Sequence, residues 1–137
     1  MADGDEFGRT ADGRAVQRFA ISGGGLSASL MNWGAVVIDL RLDGHDAPLV
    51  LGFEDFDDYL AHPSFFGAIV GRYANRIGGG RFNIAGQRGQ ADLNFLGKHM
   101  LHGGSDGFFR RIWDVALHGE DFVTLTLHDS DGAMGFP

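Results

Sequence analysis

Glycine interrupts this chain wherever its apolar pattern breaks, and that punctuation constrains the fold more than any other feature. The 23 glycines have no collagen-like period, so they serve tight turns between short extended segments. Between them the apolar residues alternate. Leu26, Ala28 and Leu30 fall on one side and Ser27 and Ser29 on the other; Ile38, Leu40 and Leu42 are opposed by Asp39 and Arg41. A period of two is that of a half-buried strand. Residues 14–21, 36–42, 108–115 and 122–127 read as strands, 49–51 as a short buried one, and 81–84 with the turn Ala85-Gly86-Gln87 as a hairpin. Only 54–60 looks helical, capped by Asp55 and stopped by Pro63. The expectation is an all-β chain, an antiparallel sandwich or barrel-like sheet, forming a single domain over 1–137.

Charge and cysteine content narrow the function classes. A net charge of -7 without a basic stripe repels a phosphate backbone, which excludes nucleic acid as a partner. No apolar run approaches the length of a bilayer span, so no membrane partner is expected. With no cysteine there is no disulfide framework and no thiolate metal site. The N-terminus Met1-Ala2-Asp3-Gly4-Asp5-Glu6 is acidic and lacks the positive start and apolar run of a secretory signal. These features together predict a cytoplasmic protein.

Three motifs carry possible chemistry. Gly23-Gly24-Gly25-Leu26-Ser27-Ala28 formally fits a dinucleotide fingerprint, but that motif needs a helix directly after it, and residues 26–30 alternate as a strand. His99 and His102 could offer two metal ligands, yet no further ligand stands at the right local spacing, and no metal is expected. Asn75 and Arg76 place an amide and a planar fork of donors after an apolar segment. They are answered by His102 between Leu101 and Gly103-Gly104, a set suited to a ligand with several hydroxyls. Trp33, Trp113 and Phe108 could stack on a sugar ring, although core packing is the commoner use of each.

Taken in order, Leu51-Gly52-Phe53, Tyr59, Gly67, Gly71-Arg72-Tyr73-Ala74-Asn75-Arg76-Ile77, Phe82, Leu101-His102-Gly103-Gly104, Gly107-Phe108, Trp113 and Ser130-Asp131-Gly132-Ala133-Met134-Gly135-Phe136-Pro137 form a specific series. The series resembles the aldose 1-epimerases, or mutarotases, and the likeness runs from Phe7 onwards. It implies a large antiparallel β-sandwich of the galactose mutarotase type that interconverts the α and β anomers of galactose, glucose and related aldoses without metal or organic cofactor. By the same likeness Asn75 and Arg76 would hold sugar hydroxyls. His102 would bind sugar and act at the ring oxygen as donor or helper acid.

The resemblance also implies what is missing. The family's general-base glutamate, its second histidine and a substrate-binding aspartate come from a C-terminal half, and none of Glu6, Glu54 or Glu120 matches the base. The expectation is therefore the N-terminal portion of a mutarotase-like protein, truncated at its C-terminus. Its exposed sheet edges would favour a homo-oligomer. A carbohydrate-binding module that has lost the proton transfers, and an inert β domain, are the alternatives.

Overall fold

The computed structural model describes residues 4–137; residues 1–3, where the acidic N-terminal stretch begins, lie outside the described residues. In chain order the elements are β1 (Asp5–Arg9), β2 (Ala15–Gly23), β3 (Leu26–Met31), β4 (Val37–Leu42), α1 (Phe56–Ala61), β5 (Arg76–Ile77), β6 (Arg81–Ile84), β7 (Gln87–Gln90), β8 (Met100–Leu101), β9 (Asp114–His118) and β10 (Val123–Thr126). Every ladder is antiparallel, so the all-β expectation with one short helix holds. Among the described residues no helix is long and apolar enough to cross a membrane. The chain divides into two compact units: residues up to Ala68 with Ile112–Thr126, and Ile69–Arg111 with Leu127–Pro137.

In the first unit, β1 to β4 form one sheet in sequence order, and β9 pairs with β10. The glycines of the apparent dinucleotide motif turn the β2–β3 hairpin, with Gly24 and Gly25 at φ 60° and 83°, as a two-residue turn of the mirror-image type requires. Register sets Ile21 opposite Ala28 and Ala28 opposite Leu40, so the alternation does build one apolar face. Its outer end stays open: Leu26 and Leu42, paired across the strands, are 43% and 44% exposed.

The core lies around α1 instead. Phe56 and Tyr59, three residues apart and therefore on one helix face, are buried with Val16, Met31, Trp33 and Val36. Phe56 meets the Trp33 ring edge-on at 5.4 Å and the Phe7 ring at 6.4 Å. Asp55 occupies the N-cap position, but its side chain makes no capping hydrogen bond. Packing of the two aromatic rings, with Asp57 and Asp58 favourably placed in the first turn, stabilises this six-residue helix.

Three segments depart from the sequence reading. Residues 5–9, to which the sequence reading assigns no element, form β1, paired to β2 across a bulge, with Phe7 packed against the core. The apolar run 49–51 is not a strand: Leu49 donates to the Leu40 carbonyl at 2.8 Å but no ladder is formed, and Leu51 is 68% exposed. Residues 108–115 begin as a single 3₁₀ turn, Phe108–Arg110, because the Phe108 N–H is directed to the Gly71 carbonyl; the strand starts only at Asp114.

The second unit has short ladders, β5 with β8 and β6 with β7. Ala85 and Gly86, at φ 50° and 85°, close the β6–β7 hairpin. Its apolar core is small: Ala91, Met100 and Phe136, with Ile77, Phe82 and Met134 against them. Phe82 stacks on Phe136 at 5.3 Å.

Candidate functional site

The site grows from the two-residue β5–β8 ladder, in which Arg76 lies opposite Leu101 and Ile77 opposite Met100. So short a ladder cannot hold itself, and an imidazole clasps each end. At one end the Asn75 N–H donates to His102 Nδ1 at 2.9 Å, while the His102 N–H donates to the Asn75 carbonyl at 2.9 Å. At the other, the Gly79 N–H donates to His99 Nδ1 at 3.0 Å. Asn75 and His102 both take left-handed backbone conformations, φ 61° and 51°, which turn the chain at the ladder's end.

This geometry fixes the state of His102. Its Nδ1 accepts, so the neutral ring carries its proton on Nε2, which becomes the donor. Burial, and then the positive charge of Arg76, push its pKa below the ordinary histidine value. At neutral pH the ring is therefore neutral, a hydrogen-bond donor rather than a cation. Asn75 and Arg76 are exposed. The Arg76 Nη1 donates to Asn75 Oδ1 at 3.0 Å, and its guanidinium carbon sits 4.5 Å above the Phe95 ring. Two donor-bearing side chains and one imidazole are thus bound into a single group.

Glycine lets the flanks close. At Gly103, φ 93°, a Cβ would fall 1.8 Å from the Gly71 carbonyl oxygen, so the two ends of the stretch 71–104 touch through bare backbone. Beside them Asp129 is held by two guanidiniums. Arg72 Nε lies 2.6 Å from one carboxylate oxygen and Arg111 Nη1 donates to the other, with all three side chains largely buried. Burial works against the charge of Asp129, but the hydrogen bonds and charges of Arg72 and Arg111 outweigh it and hold its carboxyl below the usual range. Arg72 also donates to the carbonyls of Ser130 and Pro137.

Asn75, Arg76 and His102, foreseen from the sequence, are brought together. Trp33 is in the core of the first unit, Trp113 belongs to that same unit, and Phe108 packs its ring on Gly71. His99 is a clasp, its Nδ1 taken by Gly79, and among the described residues no group of three or more metal-ligating side chains occurs. All three glutamates belong to the first unit. Sequence reading missed Arg72, Asp129 and Arg111, whose partners lie 57 and 18 residues apart, and it missed Asn94 and Phe95, which no local motif distinguishes.

The profile of the aldose 1-epimerase family matches residues 17–137, a span that includes Asn75, Arg76 and His102. This chain belongs to that family. It is 41% identical over 115 residues to an aldose 1-epimerase of Haemophilus influenzae, covering 82% of this chain and 33% of the relative. It is 35% identical over 130 residues to the galactose mutarotase of Mus musculus, covering 91% and 37%. Among solved structures, a galactose 1-epimerase from Lactobacillus acidophilus superposes with a TM-score of 0.80 at 26% identity, covering 97% of this chain and 40% of that one. A GalM/aldose epimerase homologue from C. elegans gives 0.79 at 30% identity, covering 88% and 38%. The chain thus has the mutarotase fold and spans only about a third of the length of the curated relatives it matches.

Proposed function

We propose that the second unit supplies the sugar-gripping wall of an aldose 1-epimerase site for aldoses of the galactose and glucose type. Asn75 and Arg76 hold hydroxyls, and the Nε2–H of His102 donates to the ring oxygen. The observation that carries this is the mutual clasp of Asn75 and His102, which sets the tautomer of the imidazole and ties it to Arg76. In the reaction a base takes the proton of the anomeric hydroxyl, the C1–O5 bond breaks, and O5 receives a proton to give the open aldehyde. Rotation about C1–C2 and reclosure deliver the other anomer. Both steps are proton transfers, so the reading requires no metal or organic cofactor.

His102 serves the ring oxygen in this scheme, and the base must be another group. None of Glu6, Glu54 and Glu120 stands in the sequence setting of the family's base, and we assign the base, with the second acid, to the part of the relatives' length that these 137 residues do not span. A cytoplasmic setting, in keeping with the cysteine-free composition, belongs to the same reading. Polarimetry on freshly dissolved α-galactose tests it: the chain alone leaves mutarotation at its spontaneous rate. Acceleration that His102→Ala abolishes would overturn the assignment of the base.

The second reading is a binding module without catalysis, in which Asn75, Arg76 and His102 hold hydroxyls and no proton is transferred. Sugar binding with no acceleration, even once the remaining length of a relative is supplied, would select it. Self-association is also proposed, between second copies meeting at the outer strands β1 and β4, beside the exposed Leu26 and Leu42. Light scattering should give a mass of at least twice 14.7 kDa; a monodisperse monomer contradicts it.

A further inference from the structure

The turn between Phe95 and His99 is built more firmly than a surface loop needs. Phe95 and His99 exchange both backbone hydrogen bonds at 2.9 Å, and Lys98 adds a third to the Phe95 carbonyl at 3.1 Å. Next to them, Asn94 uses its side-chain amide as if it were a strand: Oδ1 accepts from the Leu101 N–H at 2.7 Å and Nδ2 donates to the Leu101 carbonyl at 2.9 Å. The far side is secured by His99 on Gly79. Leu96, at φ 55° and 78% exposed, is a branched residue in a left-handed conformation, which persists only where the bonds around it dictate the backbone.

What this scaffold carries is the Phe95 ring. Phe95 is half-buried, is part of neither apolar core, and has the Arg76 guanidinium over its face at 4.5 Å. A guanidinium stacks on an aromatic plane through cation–π attraction and flat contact, which removes rotamer freedom from a long side chain without occupying its donor edge. The second restraint, the bond from Arg76 Nη1 to Asn75 Oδ1, lies at that edge and fixes rotation in the plane. One contact sets the plane and the other its heading. Losing the first would leave Arg76 swinging about a single hydrogen bond.

We propose that Phe95 is the positioning residue for Arg76, and that residues 94–99 exist to present its ring. The inference rests on the sugar-binding reading only for its functional consequence. The test uses the full chain, ¹⁵N-labelled, at pH 6 and low temperature, with the Arg76 Nε–Hε resonance assigned by its loss in Arg76→Lys. In the wild type and in Phe95→Tyr this resonance should be displaced by the ring current and have a high heteronuclear NOE. In Phe95→Leu it should move to the free-arginine position with a low NOE, and the galactose Kd should weaken about three- to tenfold, with Phe95→Tyr within about twofold of wild type.

An unchanged resonance in Phe95→Leu overturns the proposal, as does a loosened Arg76 with unchanged galactose affinity. If Phe95→Leu does not fold, the wild-type resonance decides, and a free-arginine position in the wild type overturns the stacking. If the wild type binds no galactose, the sugar reading fails, and the Nε–Hε displacement still decides for or against Phe95.

Discussion

The two units are stabilised in opposite ways. The first is held by a four-stranded sheet and an aromatic core, in which Val16 and Met31 are completely buried and Phe56 nearly so. The second has two ladders, one of only two residues, and a core of three buried residues. It makes up the difference with side chains that bond to backbone, at His99, His102 and Asn94, and with an ion-paired triad. It also contains five of the seven non-glycine residues at positive φ among those described: Asn75, Ala85, Leu96, His102 and Met134. A regular ladder presents side chains at fixed intervals, whereas this stitched backbone can gather an amide, a guanidinium and an imidazole at one point. Regularity supplies stability in the first unit, and local polar bonds supply geometry in the second.

The largest effect should come from breaking the aromatic core of the first unit. Phe56→Ala removes a ring that is 3% exposed and touches Trp33 and Phe7, and should cost about 3–5 kcal/mol in chemical denaturation. A loss below about 1 kcal/mol would mean that α1 is not the keystone of that unit.

The second unit should break electrostatically instead. Asp129→Asn leaves the Arg72 and Arg111 guanidiniums without their shared counter-charge and should cost about 3 kcal/mol. The pH dependence gives the sign. The folded pKa of Asp129 is depressed, so its contribution is full above the ordinary carboxylate value of about 4 and is lost as pH falls through the lower folded value. Denaturation midpoints measured between about pH 5 and pH 2 should fall in the wild type and fall less in Asp129→Asn. Parallel curves would remove Asp129 as the source.

Legibility in the sequence divides along the same line. The β2–β3 and β6–β7 hairpins could be read because alternation and turn glycines are adjacent in sequence. The run at 49–51 misled because apolar character was visible and the lack of a strand partner was not. Asp55 was recognisable as a cap position, yet whether its carboxylate would bond depended on the backbone it was given. In the second unit Asn75, Arg76 and His102 stood out as hydrogen-bonding side chains beside glycines, and the ordered likeness to a family gave them roles, since no local period marks them. The Arg72–Asp129 pair, 57 residues apart, and the Phe95 platform depend on how the chain folds back, and no pattern of neighbouring residues announces them.

The central claim is that Asn75, Arg76 and a neutral His102 form one sugar-gripping group. Galactose titrated into the ¹⁵N-labelled chain at pH 7 tests it most directly. The account predicts saturable shifts at the Asn75 and Arg76 side chains and at the His102 ring in its Nε2–H tautomer, weakened about tenfold or more by Arg76→Ala. The absence of any shift, or shifts confined to the strands of the first unit, would contradict it.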